Sequence, residues 1–93
     1  GVTEVRRAFA TELRLFVSEL TIDLSRMPGL ERWDVADLAM TADLLVSTML
    51  TAVVGLLEID RPGSRNEKDL IERTEKQIRM IMLGMSRWEP RRA

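Results

Sequence analysis

Residues 35–58 read VADLAMTADLLVSTMLTAVVGLLE, and this stretch decides the fold. Residues 44–57 carry no charge. On a helix, the apolar side chains recur at the i, i+3, i+4, i+7 spacing of a buried face. That predicted stripe consists of Val35, Leu38, Ala39, Ala42, Leu45, Val46, Met49, Leu50, Val53, Leu56 and Leu57.

The opposite side of this helix is not a solvated one, since it carries no Lys, Arg or Glu. Its members are Met40, Leu44, Ser47, Thr48, Thr51, Val54 and Gly55. A helix that is apolar on most sides is covered on most sides. Because the chain has room for only two more helices, we expect something outside it to complete the cover.

Composition bounds the class of protein. The 93 residues suffice for one small domain, and 45% hydrophobic with 31% charged residues is a globular balance. A net charge of −1 gives no overall attraction to nucleic acid. The chain has neither Cys nor His, which removes disulfides, thiolate chemistry and the commonest general base and metal ligand. We therefore predict no catalytic residue, no metal site and no cofactor.

The uncharged run also raises the question of a membrane. It is fourteen residues long and flanked by Asp43 and Glu58, whereas a span needs about 20 apolar residues. We predict a buried helix, no membrane association and, without a signal peptide, a cytoplasmic protein. Because the chain starts at Gly1 rather than at a methionine, we expect a fragment or the ordered part of a longer protein.

Stop and start signals divide the chain into three helices, at about residues 3–26, 35–59 and 65–88. Thr3 and Asp34 are the predicted N-caps of the first two. Pro28-Gly29 ends the first helix, and Pro62-Gly63 marks the second loop. Ser64-x-x-Glu67 has the spacing of a capping box for the third helix. The predicted fold is all-α: one domain, residues 1–93, of three long antiparallel helices.

The first and third helices each have a second face. Beside its main stripe, the first carries Ala8, Leu15 and Ile22, which are either ordinary surface residues or a line facing a partner segment or a ligand cavity. The third carries Gly84, which costs about 1 kcal/mol relative to alanine inside a helix. The main stripe of the first helix is Val5, Phe9, Leu13, Phe16, Val17, Leu20, Leu24 and Met27. That of the third is Leu70, Ile71, Thr74, Ile78, Ile81, Met82, Met85 and Trp88.

The apolar helix surface that the chain cannot cover by itself is the main indication of function, and it predicts a homodimer. Two copies of the second and third helices, packed about a two-fold axis, would form a four-helix bundle. Small residues there permit close approach, and hydroxyls can bond back to their own helix. The predicted dimer interface is Met40, Leu44, Ser47, Thr51, Gly55, Gln77, Met80 and Gly84.

The charged residues and the methionines can be explained as ordinary surface and core residues. Glu72 and Glu75 lie among Arg73, Lys76 and Arg79, which is typical of a solvated helix face rather than of paired catalytic carboxylates. The six methionines are either core filler or an adaptable apolar surface.

Residues 72–84, ERTEKQIRMIMLG, resemble the last long helix of tetracycline-repressor (TetR) family transcriptional regulators, and residues 36–57 resemble the penultimate one. In that family these two helices form the dimer's four-helix bundle. The resemblance implies a C-terminal dimerisation and effector-sensing domain, which would meet DNA only through a helix-turn-helix domain missing from this chain. The implied effector is an apolar small molecule. The candidate pocket residues are Phe9, Phe16, Leu20 and Met49.

Two other functions remain as alternatives. One is a stand-alone helical module that binds a partner helix in a groove. The other is a small all-helical mutase of the chorismate-mutase type, which would need several basic residues converging on a dicarboxylate. The interior-facing positions of the predicted helices lack those basic residues.

Overall fold

A computed structural model of the protein describes residues 1–89. It contains three helices, α1 (Val2–Ser25), α2 (Val35–Leu57) and α3 (Arg65–Arg87), and no strand within the described range. The predicted all-α class is confirmed, and every helix end lies within two residues of its predicted position. The described chain divides into two units, residues 1–43 and residues 44–89, so that α2 begins in the first and ends in the second.

The first unit is organised around the loop between α1 and α2. Its buried apolar residues are Leu24, Leu30, Trp33, Leu38 and Ala42. Gly29 has φ of 91°, as the Pro-Gly signal predicts, and its N–H donates to the Glu31 carboxylate at 2.9 Å. Because these buried residues come from the loop and the helix ends beside it, the core of this unit lies at the loop.

Burial along α1 fades away from that loop. Leu24 is buried, while Leu13, Val17 and Leu20 are half-buried. Of the predicted stripe, Val5, Phe9, Phe16 and Met27 are exposed. The predicted face is therefore the right one, but only its C-terminal half is covered within this unit.

The start of α1 differs from the prediction. Thr3 is not the N-cap, because the helix begins at Val2 and its N-cap is Gly1. Glu4 places a carboxylate in the first turn, where it favours the positive end of the helix dipole.

The loop before α3 follows the predicted capping chemistry in part. The Ser64 hydroxyl accepts from the Glu67 N–H at 3.3 Å, as predicted. The Glu67 carboxylate, however, accepts from Gly63 at 3.3 Å rather than from Ser64. The Ser64 N–H is already donated to the carbonyl of Arg61, which explains the shift by one residue.

Within the second unit, α2 and α3 form a hairpin whose contact uses small residues. A Cβ added to Gly55 would lie 2.9 Å from Leu70 Cδ2, so the Leu70 side chain fills the space that Gly55 leaves. Half-buried Ala52 and Ile59 lie on the same side of the chain as Gly55. Since the connection 58–64 is short, the two helices run antiparallel.

The predicted buried stripe of α2 is therefore wrong at its first residue and over most of its C-terminal half. Val35, Met49, Val53, Leu56 and Leu57 are exposed, whereas Leu38, Ala42 and Val46 are buried as predicted. Leu45 and Leu50 are half-buried. Periodicity selected the largest apolar side chains. The hairpin instead covers a stripe of small ones, because Leu70 needs the space above Gly55.

We expect Ser64→Ala to lower the free energy of unfolding by about 1 kcal/mol, since the substitution removes the only side-chain acceptor described for the Glu67 N–H. Ser86→Ala is the matched control, because Ser86 lies near the other end of α3 and its hydroxyl bonds to the carbonyl of Leu83. Chemical denaturation measures both. Equal effects of the two substitutions would contradict the capping role of Ser64.

Candidate functional site

The side of α2 that carries Met40, Leu44, Ser47, Thr51 and Val54 is the most distinctive surface of the chain, and we call it the uncharged face. These residues recur every three or four positions, so they form one line along the helix. Met40 is 61% exposed and Leu44 is 52% exposed, and the other three are exposed as well. An exposed helix face normally carries charges, and from Leu44 to Val54 this one carries none; the exposed Asp43 lies at its N-terminal edge.

The hydroxyl groups of Thr48 and Thr51 on this part of α2 are satisfied within the helix. The Thr51 hydroxyl donates to the carbonyl of Ser47 at 2.9 Å, as predicted, and that of Thr48 donates to the carbonyl of Leu44 at 2.8 Å. Each threonine thereby meets its hydrogen-bonding need and leaves its methyl group outward. The uncharged face can consequently be covered by an apolar surface without a polar penalty from these groups.

The second unit buries very little of its own apolar surface. Val46 is its one buried apolar residue among residues 44–89. Its exposed large apolar residues are Leu44, Met49, Val53, Val54, Leu56, Leu57, Ile71, Met80, Met82, Leu83 and Trp88. Burying one such side chain is worth about 1.5–3 kcal/mol. A two-helix hairpin with one buried residue has no core of its own, so a further surface must supply the cover.

Helix α3 contributes a side that is uncharged between Gln77 and Gly84. Met80 is 70% exposed, Gln77 is half-buried, and a Cβ added to Gly84 would have no atom within 4 Å. An open groove of about 440 Å³ continues along this side toward the start of α3. The groove is lined by Asp69, Glu72, Arg73, Lys76, Gln77 and Met80.

The two glycines of the predicted interface have different surroundings. Gly55 contacts Leu70 of its own chain, which accounts for the absence of a side chain there. A Cβ on Gly84 would meet no atom within 4 Å, so its cost in the last turn of α3 has no counterpart within the described residues. Gly84 is therefore the stronger of the two as a point of contact with another molecule.

The residues predicted to line a pocket lie in both units. Phe9, Phe16 and Leu20 form a row on one side of α1, with Phe9 and Phe16 exposed and Leu20 half-buried. Met49 is an exposed residue of the second unit. The shared pocket remains a prediction. The row on α1 is nevertheless an apolar surface that its own unit leaves open.

The second line on α1 is exposed as well. Leu15 is 52% exposed and Ile22 is 50% exposed, and Ala8 is exposed beside them. These residues point away from the covered stripe of Val17 and Leu24. They provide well-matched reference positions for the interface and pocket residues.

Polar chemistry in the described chain is that of a solvated surface. Among residues 1–89, no group of three or more His, Cys, Asp or Glu side chains is placed to hold a metal ion. The Glu72 carboxylate and the Lys76 ammonium lie 3.2 Å apart, and both side chains are largely exposed. An exposed i, i+4 pair of this kind stabilises a helix by only about 0.3–0.5 kcal/mol.

Helix α2 also meets the length and composition criteria for crossing a membrane. An 18-residue stretch of α2 has a mean hydropathy of 1.8, and 11% of that stretch is buried. A core helix of a soluble protein is mostly buried, so this chain alone does not supply such a core. Asp43 lies inside this stretch, and a carboxylate within a bilayer is disfavoured. The face thus needs either a protein or a lipid covering, and the charge disfavours lipid.

No protein-family profile, no curated protein and no solved structure matches this chain. None of these comparisons links the chain to the tetracycline-repressor family. What the chain does must therefore be argued from the surfaces just described.

We expect Gly84→Ala to stabilise α3 by about 0.5–1 kcal/mol in the isolated chain, because alanine is the better helix former and the added methyl meets no atom there. If a second molecule packs closely on Gly84, the same methyl will weaken that association. Thermal unfolding at high dilution measures the first effect, and sedimentation at high concentration measures the second. If the variant is more stable but associates as strongly as wild type does, Gly84 does not lie in the contact.

Proposed function

We propose that this chain is a homodimerisation module in which the uncharged face of α2 and the Gln77, Met80 and Gly84 side of α3 pair with the same surfaces of a second copy. The observation that carries this proposal is the exposure of an α2 face that has no charge on it from Leu44 to Val54. Most homo-oligomers have such isologous, two-fold interfaces.

The available area fits a stable dimer. Helices of 23 residues are about 35 Å long. Two neighbouring helices with axes about 8–10 Å apart present a face about 20 Å wide, which gives about 700 Å² per copy. Standard protein interfaces bury about 800 Å² per partner, so a four-helix bundle would be of ordinary size.

We further propose that the module is the dimerisation and effector-sensing part of a transcriptional regulator similar to the tetracycline-repressor family. The sequence likeness of residues 36–57 and 72–84 and the Pro62-Gly63 loop between the two helices support this proposal. DNA would then be read by a separate domain. The exposed apolar row of Phe9 and Phe16 supports an apolar effector rather than an anionic one.

Two other occupants of the uncharged face are distinguishable from a second copy. A partner helix of different sequence would leave the purified protein monomeric. A lipid surface would bind the protein to vesicles and would have to accept Asp43. The mutase alternative gains no support, because no charged residue is buried among residues 1–89.

We expect Leu44→Glu to convert the dimer to a monomer, because it places a charge in an apolar contact. Leu15→Glu is the matched control, since both leucines are 52% exposed on long helices and only Leu44 lies on the uncharged face. Light scattering coupled to size exclusion gives the mass of each, and circular dichroism checks helicity. A monomeric wild type, or equal behaviour of the two variants, would contradict the proposal.

We expect Phe16→Lys to weaken binding of a fluorescent, uncharged apolar probe, such as Nile red, about tenfold, which corresponds to the lost burial of one aromatic ring. Ile22→Lys is the control, because Ile22 and Phe16 are both 50% exposed on α1. Fluorescence titration measures the two affinities. Equal losses for the two variants would show that the row on α1 has no special role in binding.

A further inference from the structure

Helix α3 has opposite charges at the two ends of its outward side. Asp69 and Arg87 are 18 residues apart, which is five turns at 3.6 residues per turn, so they lie on one line along the helix. Met80 lies between them on nearly the same line, and all three residues are exposed. Exposed Lys76 lies close to the same line, so the line is acidic at Asp69, basic at Lys76, apolar at Met80 and basic again at Arg87.

Two such lines are complementary in charge when the two helices run antiparallel. If two copies of α3 ran parallel, Asp69 would face Asp69 and Arg87 would face Arg87, which is repulsive at both ends. If they run antiparallel about an axis level with Ile78, each Asp69 faces an Arg87 of the second copy. Each pair then lies about 13 Å from the axis, at the rim of the interface, where charged residues are tolerated.

The contact between Gly55 and Leu70 gives a separate argument for a two-fold axis at the level of Ile78. Because α2 and α3 run antiparallel through that contact, each residue before Gly55 is level with one after Leu70. Ser47, eight residues before Gly55, is then level with Ile78. Ser47 is also the middle residue of the uncharged face, which extends from Met40 to Val54. The charges of α3 and the apolar face of α2 thus share one centre.

A second antiparallel register would also pair opposite charges. An axis between Glu72 and Arg73 would bring Asp69 opposite Lys76 of the second copy. It would compete with the Glu72–Lys76 ion pair that α3 already forms at 3.2 Å. The register centred on Ile78 places Lys76 opposite Met80 of the second copy and leaves that ion pair intact.

We infer that Asp69 pairs with Arg87 of a second copy at both ends of the dimer, and that these two pairs fix the antiparallel order and the register of the four-helix bundle. This inference rests on the proposed homodimer. It adds the charge recognition by which one copy selects another.

The test exchanges the two charges at low ionic strength. Asp69→Arg alone and Arg87→Asp alone each create two like-charge pairs, so each should raise the dimer dissociation constant about tenfold. The double variant D69R/R87D restores opposite charges and should return to within about threefold of wild type. Mixing the two single variants should give heterodimers in preference to either homodimer. High salt should reduce all of these differences by screening.

Glu75→Arg is the control for the charge change, because Glu75 is exposed on α3 but lies away from the line of Asp69 and Arg87. It should leave the dissociation constant unchanged. Loss of folding cannot imitate the expected result, since a second substitution would not rescue an unfolded chain.

A failure of the proposed register and a failure of the proposed homodimer would give different results. A wild-type dimer that ignores both single substitutions, or a double variant no better than the worse single one, would overturn the register and leave the homodimer intact. Rescue of Asp69→Arg by Lys76→Asp rather than by Arg87→Asp would move the axis to Glu72 and Arg73, which also overturns it. A wild type that is monomeric at all concentrations would overturn the proposed function itself.

Discussion

Helix α2 has more apolar circumference than its own chain covers, and the rest of the molecule follows from that constraint. One part of it packs in the first unit, around Leu38 and Ala42, and another packs on α3 through Ala52 and Gly55. The uncharged face, from Met40 to Val54, has no such neighbour. Exposed apolar area on this scale marks interaction surfaces, because monomers rarely leave it in water.

A second copy satisfies this need with few new assumptions. The threonine hydroxyls near the uncharged face bond to their own helix, so a dry contact leaves them paired. Gly84 offers an open site for close approach. Opposite charges at the ends of α3 provide an orientation. These features lie on different residues but all favour a two-fold, antiparallel arrangement.

Much of the fold could be predicted from sequence because local chemistry determines it. Gly29 adopts the positive φ that its Pro-Gly signal requires, and Ser64 caps α3. The prediction failed at the end of α2, where periodicity favours Met49 and Val53 but packing covers Ala52 and Gly55. That choice depends on Leu70, a residue distant in sequence, which periodicity does not consider. The covering of the site likewise depends on a second molecule, so the sequence indicates the need for it and not its identity.

The central claim is that a second copy covers the uncharged face, and methionine oxidation tests it most directly. Met40 and Met80 lie on the proposed interface, and Met27 lies in the loop of the first unit; all three are exposed in the single chain. A mild peroxide converts an accessible methionine to its sulfoxide, which mass spectrometry locates. The account predicts that Met40 and Met80 become protected as protein concentration rises, while Met27 reacts at a constant rate. Equal and concentration-independent oxidation of all three would contradict it.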